Sequence, residues 1–154
     1  MKKRPLKISI PEDHLGYWLR YVSNNVTHSF SRKLETSKVT VAEWIILRQM
    51  YDGKESSPGI IAEKTGLTRG AVSKLIDRLL KKGFVLRVTL TQDRRFQEIK
   101  LTPKGGRLVP RLAQIADKND DYFFRHLTVK HKEDLMGLLK KIVKIHKFGK
   151  IFVE

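Results

Sequence analysis

The chain contains no cysteine, which excludes disulfides, thiol redox sensing and cysteine-ligated metal. It also lacks long apolar runs. None approaches the about eighteen consecutive apolar residues of a membrane span, and the basic start MKKRPLK leads into no apolar signal core. A cytoplasmic location without a membrane partner is the resulting expectation. No G-x-S-x-G, no phosphate-binding glycine loop and no close carboxylate pair on one face can be found, so an enzyme is not expected. The five histidines are scattered. His126 and His131 straddle a helix break and His14 follows Asp13. Neither arrangement has the i, i+4 spacing that sets two imidazoles on one helical face, so no metal and no other cofactor is expected.

Acidic residues are the other shortage. Lysines and arginines outnumber them 32 to 16, a net charge of +16. The excess is spread: +4 over residues 1–53, +6 over 54–102 and +6 over 103–154. Such a field favours a polyanion, with nucleic acid the first candidate and an anionic membrane surface the second. A merely solvated basic face is the plain alternative. The length of 154 residues, with 40% apolar and 31% charged, suits a globular chain with ample material for a core.

What is present is a readable order of elements. Thr40 with Glu43 three residues on makes a capping box for VAEWIILRQMYDG, a helix expected to stop at Gly53. Pro58 opens a short helix ending near Gly66. Thr68 then caps RGAVSKLIDRLLKKG, which closes at Gly83. In it Ala71, Val72, Leu75, Ile76, Leu79 and Leu80 form an apolar stripe, opposite Arg69, Gly70, Ser73, Lys74 and Asp77. FVLRVTL reads as one strand and FQEIKL as a second, around a polar tip that presents Arg94 and Arg95. The second sets Gln97, Ile99 and Leu101 on one face and Phe96, Glu98 and Lys100 on the other. Helix, short helix, tight Gly-Leu-Thr turn, amphipathic helix, hairpin: that is a winged helix-turn-helix, whose helix after the turn lies in the major groove.

Longer apolar-striped helices flank it. One is expected from about Pro11 to Leu34, one from Pro103 to about Leu127 behind Thr102, and one from about Val129 to Phe148. Tyr17, Trp18 and Trp44 sit among leucines at helical spacing and read as core aromatics, the alternative being the lining of a small-molecule pocket. The fold class is therefore mainly α with a small β-hairpin wing. Residues 37–102 form the DNA-binding domain, and residues 1–36 with 103–154 form a helical dimerisation region. One small winged domain cannot cover three long apolar stripes, so a second copy of the chain is the expected partner.

The run GLTRGAVSKLIDRLLKKGFVLRVTLTQDRRFQEIKLTPKG resembles the MarR family of bacterial transcriptional regulators. Asp93-Arg94-Arg95, followed by Ile99, Leu101 and Thr102, fits that family's wing pattern of D-x-R, then L-T and a helix; IDRLLKKGFV matches the end of its recognition helix. The resemblance implies that Arg95 enters the minor groove, that Asp93 orients it, and that Arg94 meets phosphate. Narrow minor grooves have enhanced negative potential, and a guanidinium is only weakly hydrated. On the recognition helix Arg69, Ser73 and Lys74 lie where base edges are met, with Thr68 and Arg78 as phosphate contacts.

Gly70 departs from the family, where a small hydroxyl residue is frequent. It serves either a close approach of backbone to DNA or no special purpose in a first turn. The resemblance further implies double-stranded DNA as partner, a possible small-molecule effector seated between the dimerisation helices and the DNA-binding part, and repression of the chain's own promoter. A sequence-independent, DNA-coating winged-helix protein is the alternative that the charge supports.

Overall fold

The computed structural model describes residues 8–52, 57–89 and 97–147. The chain begins with a 3-10 turn over Pro11–Asp13, followed by α1 (Leu15–Leu34). The sequence predicts one helix across this stretch, but it is interrupted at His14, which is extended (φ −106, ψ 127). The polar groups of the turn explain the break. Asp13 reaches back to accept from the Ile10 amide at 3.2 Å, and the Glu12 carbonyl accepts from the Trp18 indole at 3.0 Å. These bonds hold the turn against the start of α1, where a new ladder begins with the Tyr17 amide donating to the His14 carbonyl at 3.1 Å.

α2 (Val41–Tyr51) starts in the predicted capping box: the Glu43 amide donates to Thr40 Oγ1 at 3.2 Å and the Thr40 amide to Glu43 Oε2 at 2.9 Å. It ends two residues before Gly53, which lies outside the described residues. α3 (Pro58–Thr65) is capped by Ser57 and closed by Gly66 at φ 74, a backbone state that suits glycine. Leu67 then turns inward and is buried. α4 (Arg69–Lys81) is capped by Thr68, whose Oγ1 accepts from the Ala71 amide at 3.2 Å. Gly83 at φ 71 ends it, and the Phe84 amide returns to the Leu79 carbonyl at 3.0 Å.

β1 (Val85–Thr89) and β2 (Gln97–Leu101) pair antiparallel, with Val85 opposite Leu101 and Thr89 opposite Gln97. α5 (Pro103–Phe124) follows, capped by Thr102. Its start is clamped to the base of the hairpin. Thr102 Oγ1 donates to the Gly83 carbonyl at 2.7 Å and the Thr102 amide to the Phe84 carbonyl at 3.0 Å. A Cβ on Gly105 would lie 2.0 Å from the Phe84 carbonyl oxygen, so only glycine lets helix and strand approach this closely. α5 ends at Phe124, a little short of the expected Leu127, and α6 (Val129–His146) completes the described chain.

The core lies in the middle. Leu34, Ile46, Leu47, Ile61, Val72, Ile76, Leu79, Ile99, Val109 and Leu112 are all buried to within 2%. Four of the six stripe residues of α4 are buried and the other two, Ala71 and Leu80, are half-buried. Trp44 is half-buried edge-on to Phe30, as a core aromatic should be. Tyr17 and Trp18 are not core: Trp18 is 50% exposed, and both rings pack with Tyr21 on the outside of α1. Helical spacing correctly places them on one face, but among the described residues that face stays largely exposed. No residue of α6 is buried.

Candidate nucleic-acid interface

Two features place the polar face of α4. Its apolar stripe faces the core, so Arg69, Gly70, Ser73, Lys74 and Arg78 are all exposed on the opposite side. Thr68 sits at its first turn, where four backbone amides lack intrahelical partners and the dipole favours negative charge. Arg69, Lys74 and Arg78 form no ion pair with any described residue. The guanidinium of Arg69 reaches back over the first turn of α3, 3.9 Å from where a Cβ on Gly59 would be. Around Gly70 there is open space, so no contact inside the chain requires a glycine there.

The one acidic residue on this helix is neutralised in place. Asp77 accepts from Arg87 of β1 at 2.6 Å. That pair ties the hairpin to α4 and masks a charge that would repel a polyanion. The sequence offers a signal for it only in retrospect: one carboxylate on an otherwise basic face invites a cation from a neighbouring element. The base of the hairpin is thus fixed to α4 and α5. Asp93, Arg94 and Arg95 lie outside the described residues, so the structure brings together Thr68, Arg69, Gly70, Ser73, Lys74 and Arg78 alone.

A second contact also escaped the reading of the sequence. Glu43, evident there as half of a capping box, is completely buried and paired with Lys82 at 2.7 Å. Further from α4, α1 and α5 are joined through buried Asn119, which accepts from Lys33 at 2.8 Å and donates to the Val26 carbonyl at 3.2 Å.

Two clefts flank α1. One, of about 490 Å³, is lined by Asn24, Thr27, His28 and Ser31 together with Thr40, Val41 and Ala42 at the start of α2. The other, of about 670 Å³, lies towards Tyr122 and Phe123 of α5 and shares His28. Among the described residues no group of three histidine or carboxylate side chains could hold a metal ion, and no helix is long and apolar enough to cross a membrane.

Comparison with known proteins agrees with this architecture. Residues 37–95 match the model of the MarR family, from the approach to α2 to beyond β1. A putative transcriptional regulatory protein for the hcr operon of Thauera aromatica is 27% identical over 129 residues, 83% of this chain and 78% of that protein. The Staphylococcus aureus MepR–DNA complex superposes with a TM-score of 0.76 at 26% identity, over 85% of this chain and 97% of MepR. An organohalide-sensing transcriptional regulator in its 2,4-dichlorophenol-bound form shares the fold, with a TM-score of 0.79 at 20% identity over 92% of this chain and 85% of that one. Residues 37–95, which carry the capped helix, its glycine-closed end and the first strand of the antiparallel hairpin, thus match the MarR family, and the chain shares the winged-helix fold of MarR-family transcriptional regulators.

Proposed function

We propose that the chain is a homodimeric, ligand-responsive repressor that reads a near-palindromic operator. The observation that carries this reading is the exposed face of α4. It presents Arg69, Lys74 and Arg78 unpaired, has its only carboxylate masked by Arg87, and belongs to a chain of net charge +16. Arg69, Ser73 and Lys74 would meet base edges in the major groove. Thr68, with a hydroxyl proton still free to donate, and Arg78 would bind phosphates. Gly70 then leaves the helix backbone uncovered where DNA comes closest, since no neighbour within the chain calls for it. Arg95 in the minor groove, with Asp93 orienting it and Arg94 on phosphate, completes the reading from the wing pattern in the sequence.

The dimer is supported by apolar faces that find no cover among the described residues. Leu15, Trp18, Leu19 and Val22 of α1, with Leu138, Ile142 and Ile145 of α6, are all more than 40% exposed. Residues 1–36 and 103–154 would form the dimer, and residues 37–102 would read DNA. The cleft between α1 and α2 is the best seat for an effector. It joins the two parts, and its hydroxyl, amide and imidazole groups suit a small polar molecule.

Fluorescence anisotropy on duplex DNA from immediately upstream of the chain's own coding region, beside a scrambled duplex at two salt concentrations, tests the reading. An operator reader keeps the first duplex at the higher salt and loses the second. The charge favours one other reading, a DNA-coating protein with little sequence preference, and binding to both duplexes that collapses together with salt would select it.

A further inference from the structure

Four parts of the fold converge on Lys82, the residue that ends α4. Its ammonium donates to Glu43 Oε1 and Oε2, each at 2.7 Å, and to the Lys38 carbonyl at 2.8 Å. An ammonium has three protons, and here each has an acceptor. Glu43 is completely buried, and its Oε2 also accepts from the Thr40 amide at 2.9 Å. On the other side the Lys82 carbonyl accepts from Lys104 of α5 at 3.0 Å, and the Lys104 ammonium lies 4.8 Å over the Phe84 ring. One residue is therefore bonded to the segment leaving α1, to the first turn of α2 and to the first turn of α5, while it closes α4.

Such a junction does something that the apolar core cannot. The stripe of α4 sets how deeply the helix sits, but hydrophobic contact is non-directional and tolerates slip and roll. Hydrogen bonds to charged groups are directional and short. A buried ion pair is a poor source of net stability, and its best-attested use is to fix one arrangement among several. The Lys82 side chain is 32% exposed, so a methionine there would keep the aliphatic stem packed and lose the three bonds. It would also leave the buried Glu43 carboxylate without its cation, whereas Glu43→Gln removes that charge.

We infer that Lys82 is a positioning residue for sequence recognition: it fixes the axial position and roll of α4 against α2, α5 and the segment after α1, and with them the aim of Arg69, Ser73 and Lys74. This rests on α4 being the base-contacting helix. The junction ties the reading face to the first turns of both neighbouring helices, so Lys82 governs preference between sequences more than overall attraction to DNA.

The test compares wild type, Lys82→Met, Lys82→Arg and Glu43→Gln as full-length protein, well below their melting temperatures. A duplex chosen by the wild type from a random pool and a scrambled duplex are the probes. Losing the aim of even one bidentate side chain should make Lys82→Met and Glu43→Gln lower the ratio of the two affinities about tenfold, with Lys82→Arg restoring most of it. Binding of Lys82→Met to the scrambled duplex should fall much less, since it follows charge.

Amide hydrogen exchange without DNA forms the second arm. Lys82→Met should lose protection in α4 while Ile46 and Leu47 of α2 keep theirs. A Lys82→Met protein that melts earlier but keeps both the affinity ratio and the protection of α4 overturns the inference. A wild type that selects no sequence refutes base reading itself. The exchange arm then decides separately whether Lys82 holds α4, and unchanged protection would dispose of the junction too.

Discussion

The stretch from Leu34 to Leu112 and the two outer helices are built to opposite plans. In the first, apolar spacing and burial coincide: Leu75, Ile76 and Leu79 of α4 point inward and are covered. In α1 and α6 the spacing is just as regular, yet Trp18, Leu138 and Ile142 face outward. The middle stretch is closed by its own side chains. The outer helices carry a pattern whose face the described residues leave uncovered. Periodicity therefore reports which face will be buried, and not by what.

The sharpest way to break the closed half is Gly105→Ala. The new Cβ would meet a backbone carbonyl at 2.0 Å, and neither the capped helix nor the strand can withdraw without breaking the bonds of Thr102. Overpacking of this kind should cost about 3 kcal/mol or more. Gly106, one residue on, has open space around its Cβ position, so Gly106→Ala should be neutral or stabilise by about 0.5–1 kcal/mol. Denaturant titrations of the two variants check both, and similar midpoints would refute the account of the α5–hairpin junction.

Next in size is a contrast between the halves. Leu79→Ala opens a cavity in a site with no exposure and should cost about 2–5 kcal/mol at any protein concentration. Ile142→Asp changes a residue that is 42% exposed in one chain. It should barely alter the fold of the middle stretch but dissociate the proposed dimer, seen as a halved mass in light scattering at micromolar protein. A dimer that survives Ile142→Asp would place the partner elsewhere. Between the halves, Asn119→Ala removes an acceptor from Lys33 and a donor to the Val26 carbonyl. Leaving these unpaired should cost about 1–3 kcal/mol in a thermal melt.

Much of this was legible beforehand. The cap at Thr40, the Pro58 start, the αL closures at Gly66 and Gly83 and the α4 stripe are local signals whose cause and effect lie within a few residues. The misreadings are non-local. The break at His14 depends on a bond from Trp18 to Glu12, and the exposure of Tyr17 and Trp18 on an absent partner surface. In the candidate site, the exposed face of α4 follows from its stripe. The links Asp77–Arg87 and Glu43–Lys82 do not, because they join residues 10 and 39 positions apart that only the tertiary fold brings together.

The smallest expected effect on stability concerns that first link. Arg87 and Asp77 are 46% and 56% exposed, so Arg87→Ala should cost no more than about 1 kcal/mol in the melt. Its effect on DNA should be larger than its effect on the fold. Without Arg87, the Asp77 carboxylate stands uncompensated on the face that carries Ser73, Lys74 and Arg78, and it repels phosphate. The loss should amount to about one phosphate contact, a reduction of about 0.9 in the magnitude of the salt slope. Two explanations can then be separated. If Arg87 acts by masking the carboxylate, adding Asp77→Asn to Arg87→Ala should restore binding, since the repelling charge is gone. If Arg87 itself touches phosphate, the second change should restore little. Masking predicts rescue, because the 2.6 Å bond from Nη2 already commits Arg87 to the Asp77 carboxylate.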